Sequence, residues 1–207
     1  MFWRIISYYK NLIWGNRRWF FVITAVFLVS VLIGVLVSLF ATSFSEQIIA
    51  SYVRSIKPDL KEGWDLTLFI YQRNLTITTL ASVFSFFFGI AAIFVTFING
   101  LLLGLIFGYP KIYSLANPLY FVALIVPHGI LEYFATFLSL AFGLRLGINW
   151  TLITNQGKRK QTFFKNFREL LTILVLVGFI LFLAAFIEGF LTRRIADCLF
   201  GHCSLKF

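Results

Sequence analysis

A chain of 207 residues with 60% hydrophobic and only 13% charged side chains, at a mean hydropathy of +0.91, excludes a water-soluble globular domain, for which about 45–50% apolar and about 25% charged residues are usual. The formal net charge of +10 points to anionic lipid headgroups and not to nucleic acid, because the basic residues flank apolar runs and form no long patch with interleaved aromatics. Runs such as 20–39 and 75–98 are apolar on every side, which excludes the alternation of a barrel strand and passes the roughly 18 residues that mark a membrane helix.

The expected fold is therefore all-α, a polytopic transmembrane helix bundle with about five crossings, one of them interrupted. Residues 1–19 space Phe2, Ile5, Ile6, Tyr9, Leu12 and Ile13 like one face of a helix, then place Trp14, Arg17, Arg18 and Trp19. That pattern predicts an interfacial amphipathic helix entering the bilayer through an aromatic and basic belt. The first span is expected at 20–41; it is too long for the roughly 7–15 residue core of a signal peptide and is read as an anchor. Residues 42–73 hold Glu46, Asp59, Glu62 and Asp65 beside a helical pattern ended by Pro58, and are expected to be an external, water-facing segment. A second span follows at 74–98.

From 99 to 126 the chain stays apolar but is interrupted by Asn99-Gly100, Gly108-Tyr109-Pro110-Lys111 and Asn117-Pro118. This predicts one crossing made of two short helical pieces, a pattern that in transporters marks binding sites. Pro127 is expected to open a span at 128–148. A basic loop at 149–168, a last span at 169–191 and a tail at 193–207 complete the chain. Lys and Arg number four in the N-terminal segment and five in the 149–168 loop. The positive-inside rule puts both in the cytoplasm of a multi-pass cell-membrane protein, with the C-terminus external. Cys198 and Cys203 of the tail would then lie where a disulfide persists. Their spacing is compatible with a small disulfide loop, with two free thiols as the alternative.

Polar groups within spans are costly and so are functional candidates. His128 and Glu132 stand four apart, on one helical face about 6 Å apart along the axis. They suit a proton relay or the lining of a small site, or else a buried hydrogen bond tying helices together. Asn99, in a long apolar run, also needs a partner for its amide. One histidine and one glutamate make two ligands, short of the three of a catalytic zinc site, and Cys198, His202 and Cys203 make a poor tetrahedral set, so no metal site is expected. Ser82, Ser85, Thr136 and Ser139 sit in no nucleophile elbow and are expected to bond to helix backbone or a neighbouring helix. With no phosphate-binding loop either, neither a cofactor nor enzyme activity is expected. Gly100, Gly104 and Gly108, with Gly143 and Gly147, form four-residue repeats where another helix backbone can approach, within the chain or in a homo-oligomer. Arg145 is expected to reach the cytoplasmic headgroups, and Glu188 to snorkel outward or pair with Arg193 or Arg194.

The stretch Phe97-Ile98-Asn99-Gly100-Leu101-Leu102-Leu103-Gly104, then Pro127-His128-Gly129-Ile130-Leu131-Glu132-Tyr133-Phe134-Ala135 and Gly143-Leu144-Arg145-Leu146-Gly147, resembles the stage II sporulation protein M family over roughly residues 74–192. The matching motif residues are Asn99, Gly100, Gly104, Pro127, His128, Gly129 and Glu132, with Pro127 and Gly129 taken as packing positions. The resemblance implies a membrane component of a complex whose partners degrade peptidoglycan, a scaffold without enzyme activity of its own.

Three functions stand open on these residues. The first is a scaffold or assembly component bound to membrane lipids and to other membrane or envelope proteins. The second is a transporter, channel or lipid-handling protein with a polar cavity at His128 and Glu132. An intramembrane hydrolase is third, lacking a complete ligand or nucleophile set. A dry, interlocked core would favour the first, and a water-accessible cavity reaching Glu132 or pH-dependent flux in liposomes the second.

Overall fold

The computed structural model describes residues 2–55, 63–109, 118–153 and 156–200, and every regular element among them is helical. In chain order these are α1 (Phe2–Gly15), α2 (Arg17–Phe40), α3 (Thr42–Ser55), α4 (Trp64–Phe84), α5 (Ile90–Gly108) and α6 (Pro118–Ile148). A π turn (Asn149–Ile153) and a 3-10 turn (Gln156–Lys158) lead into α7 (Arg159–Ile187), which a second π turn (Glu188–Thr192) joins to α8 (Arg193–Leu199). Four of the described helices are long and apolar enough to cross a membrane, Arg17–Phe40, Ile90–Gly108, Val122–Leu152 and Arg159–Leu199. α4 lies among them, packed on α6 and α7. The protein is an all-α membrane helix bundle.

Its polarity is that of a lipid-solvated fold. Leu28, Leu32, Leu36, Val175 and Phe179 face outward, while Ser30, Ser38, Ser82, Ser85, Thr96 and Ser139 are buried. Hydrocarbon welcomes the former and offers the latter no hydrogen bonds, so each of these six hydroxyls finds a partner in protein. Ser30, Ser85 and Thr96 donate to the carbonyls of Val26, Ala81 and Ala92 one turn back. Ser139 donates across to Ser82, 2.9 Å away on α4, and Ser38 of α2 to the Leu105 carbonyl of α5.

α6 is the central helix. Between residues 135 and 147 only Thr136 and Arg145 escape full burial, and Leu138, Phe142 and Leu146 pack with Leu170, Ile173 and Val177 of α7. On its other side Phe27 of α2 packs tilted against Tyr133 and edge-on against Phe137 at ring-centre distances of 4.9 and 4.8 Å.

Glycines set the two closest approaches. A Cβ on Gly100 would lie 2.6 Å from the Phe27 carbonyl and one on Gly108 2.9 Å from the Val35 backbone, while Gly104 faces Gly34. Contacts advance in the same direction along both chains, so α2 and α5 run parallel. On α6, Gly143 lies against the Ser82 backbone, and Gly147 against residues 85 and 89.

Those residues belong to a turn at 85–89 that the sequence does not predict. Phe88 (φ 55°) and Gly89 (φ 74°) adopt left-handed backbone there, which glycine takes at no steric cost. The Trp150 indole donates to the Phe86 carbonyl and closes the turn against α6. The expected span at 74–98 is thus divided. Its first part is the end of α4, which begins at Trp64 inside the segment expected to be external, and its second part is the start of α5. α5 runs unbroken through Asn99-Gly100, so no interruption falls there, and it ends at Gly108 with Tyr109 beyond it, where a break is expected; Pro110, Lys111 and Asn117 lie outside the described residues. Pro127 does not open a helix but sits inside α6. It cannot donate to the carbonyl one turn back, yet the surrounding bundle carries the helix through.

Arg145 does not reach outward. It pairs with Glu169 of α7, locking the end of α6 to the start of α7. At the same end Tyr9 of α1 donates to the Thr172 carbonyl, and Tyr9, Leu12 and Ile13 pack on the core.

Candidate functional site

Near the opposite end, three helices and a π turn converge on a polar interior. α6 projects His128, Glu132 and Thr136 at four-residue intervals, which is one helical face. Arg73, Asn74 and Thr78 come from the middle of α4, and Thr96 and Asn99 from α5. These groups line two cavities of about 250 Å³ each, one between α4, α5 and α6, the other extending to His128 and Glu188. Arg73, Asn74, Glu132 and Tyr133 line both.

The π turn supplies the remaining groups. A π turn inserts an extra residue per turn and is frequent at functional sites. Here it is held from outside by the Gly63 amide, which donates to the Gly189 carbonyl at 2.9 Å, and by Trp64, which packs tilted on Phe186 and edge-on against Phe190. It turns Glu188 and Thr192 toward α6. The Thr192 hydroxyl lies 3.1 Å from His128 Nδ1, and a Glu188 carboxylate oxygen lies 3.7 Å from His128 Nε2. Donor atoms of His128, Glu132 and Glu188 all fall within 4.8 Å of one another. The Arg73 guanidinium bears on both carboxylates, and they bear on each other.

The expected residues are therefore only partly united. His128 and Glu132 share the site, but the ring nitrogens of His128 face Thr192 and Glu188 of the last membrane segment. Asn99 lines the first cavity, its amide donating to the Val95 carbonyl of its own helix. Gly100, Gly104, Gly108, Gly143 and Gly147 belong to helix contacts elsewhere. Gly129, expected to pack a helix, lines the second cavity instead, and a Cβ there would meet only Ile125 of the same helix at 3.4 Å. Glu188 does not snorkel outward, and it raises the intramembrane histidine and carboxylate ligands from two to three. Arg73 is the residue that sequence reasoning missed, assigned to the end of an external segment. The signal that marks it is the apolar stretch 66–71 ahead of it, which extends the helix a full two turns toward Trp64. Cys198 lies on α8, whereas Cys203 and His202, and with them the expected disulfide, lie outside the described residues.

A family model described as stage II sporulation protein M matches residues 23–193, a stretch that contains both cavities, the π turn and every glycine contact above. The chain belongs to the stage II sporulation protein M family. Among curated relatives, an uncharacterized protein of Methanocaldococcus jannaschii is 31% identical over 132 residues, covering 63% of this chain and 72% of its own length. A second uncharacterized protein of that organism is 27% identical over 157 residues, covering 72% of this chain and 67% of its own. No solved structure matches.

Proposed function

We propose that this membrane protein handles a small polar or charged solute at membrane depth, with Glu132 at the centre of its path. The observation that carries this reading is the pair of cavities that meet on Arg73, Asn74, Glu132 and Tyr133. A bundle whose only task is to hold partners gains nothing from charged groups around a void, which cost several kcal/mol unless used. In this reading the N-terminus and the 149–168 loop face the cytoplasm, as their Lys and Arg content directs.

The test is solute and proton flux in liposomes carrying the purified chain, compared with Glu132→Gln. Flux that the wild type supports and the variant abolishes sustains the reading, and equal leak from both removes it. A second reading, a scaffold in a membrane complex, follows what the family resemblance implies and is supported by the glycine-mated α2 and α5, a close-packed pair suited to docking. Partners that copurify equally with wild type and Glu132→Gln would favour it.

A further inference from the structure

We infer that His128, Glu132 and Glu188 bind a divalent first-row transition cation, of the manganese, iron or zinc kind. The hydrogen bonds around His128 carry the argument. With the Thr192 hydroxyl donating to the Ile187 carbonyl at 3.2 Å, it accepts from His128 at 3.1 Å in the tautomer that carries the ring proton on Nδ1. A neutral ring then presents a bare lone pair at Nε2, directed at the Glu188 carboxylate 3.7 Å away. In that tautomer lone pair faces lone pair, an arrangement that a shared proton or a bound metal ion between them turns favourable. A backbone or hydroxyl partner on one imidazole nitrogen, fixing the other for coordination, is the usual outer arrangement of a metal-binding histidine.

The remaining geometry agrees. With the three donor atoms within 4.8 Å of one another, a triangle of that side has its centre about 2.8 Å from each corner, and small rotamer shifts close it to the roughly 2.0–2.2 Å of metal–N and metal–O bonds. The ligands come from α6 at positions four apart and from a π turn pinned by the Gly63 amide, so two rigid elements hold them. One imidazole, two carboxylates and no thiolate suit manganese, iron and zinc better than copper(I), and the imidazole disfavours calcium and magnesium. The adjoining cavity of about 250 Å³ leaves room for water or substrate at the open positions. A resident ion and an ion in transit share this chemistry. The inference shares its cavity with the proposed function but rests on ligand geometry, not on passage.

The full chain in nanodiscs, stripped with chelator, is titrated with Zn²⁺ alone and with Mn²⁺ alone. One ion per chain is expected, with Glu188→Gln and His128→Gln lowering binding below detection and Thr192→Val weakening it about 10–100-fold. His202→Ala leaves it unchanged. A wild type that takes up no ion at millimolar metal, ligand variants that bind like wild type, or loss of binding in His202→Ala overturns the site. Should the ligand variants misfold, pulsed electron resonance of Mn²⁺ on the wild type decides: coupling to one imidazole nitrogen supports the site and all-oxygen ligation overturns it. Binding without flux overturns the passage reading alone, and flux without binding overturns the metal alone. An ion retained through purification marks a resident one, and uptake of zinc into liposomes marks transit.

Discussion

Truncating His128 to alanine removes the ring that Thr192 and Glu188 face, and truncating Glu132 removes a carboxylate that faces the Arg73 charge. Each change is expected to lower stability by about 1–3 kcal/mol. Ile130→Ala, on the same helix but 65% exposed to lipid, is expected to cost less. Thermal melts in detergent check this, and equal losses across the three variants would remove the reason for singling out the polar pair. Arg145→Ala leaves the Glu169 carboxylate unpaired at 19% side-chain exposure, with an expected cost of about 3–5 kcal/mol. Arg145→Met combined with Glu169→Leu should recover most of it; a double variant as unstable as the single one would show that the charge pair is not what the site requires. His128 and Glu132 were legible in the sequence because a charge inside an apolar run announces itself. Glu188, Arg73 and Arg145 were not, since each stands near the end of an apolar run, where a long side chain has water within reach. Only tertiary contact turns them inward.

Helices α2 and α7 were readable from apolar length, whereas α6 was readable only from Pro127 onward, its first turns being expected in the preceding crossing. The division between α4 and α5 was not. Three phenylalanines run through the 85–89 turn, and a hydropathy count sees them as span. What breaks the helix is backbone conformation at Phe88 and Gly89, supported by Gly147 and Trp150 about sixty residues later. Conversely, Asn99-Gly100 carries a turn signature yet lies within α5, because Asn99 bonds back to its own helix and Gly100 is used to admit Phe27 and Ser30. Helix contact at the glycines makes a signed prediction. Gly104→Val drives a branched side chain into the α2 backbone and is expected to cost about 3 kcal/mol or more. Gly15→Ala, where a Cβ meets nothing within 4 Å, is expected to be neutral or to stabilise by up to about 1 kcal/mol. Detergent melts of the two variants check the pair, and similar effects would contradict the close approach of α2 and α5.

Across the described residues, several charged side chains outside the interior site divide between the two ends of the bundle. Arg17, Arg18, Arg145 and Arg159 gather at the end that carries the 85–89 turn, while Asp65, Arg193 and Arg194 lie at the other. In a background with both cysteines replaced by serine, single cysteines at Lys160 and at Arg18 are expected to label from the same side of the membrane, and one at Asp65 from the opposite side. Labelling of Lys160 and Asp65 from a common side would invalidate the orientation of the bundle.

The parallel pairing of α2 with α5 also constrains how the protein is made. Ser38 and its acceptor Leu105 are separated by 67 residues, and the whole of α4 is synthesised between them. A chain leaving the ribosome from its N-terminus must therefore park α2 in the bilayer or beside the insertion machinery with its small, hydroxyl-bearing face unmated. The tightest seam of the bundle closes only after two further segments have been delivered. A nascent chain arrested before Gly100 emerges would present that face to any helix nearby, which makes the interval between the second and fifth helices the stage of biogenesis most exposed to mispairing.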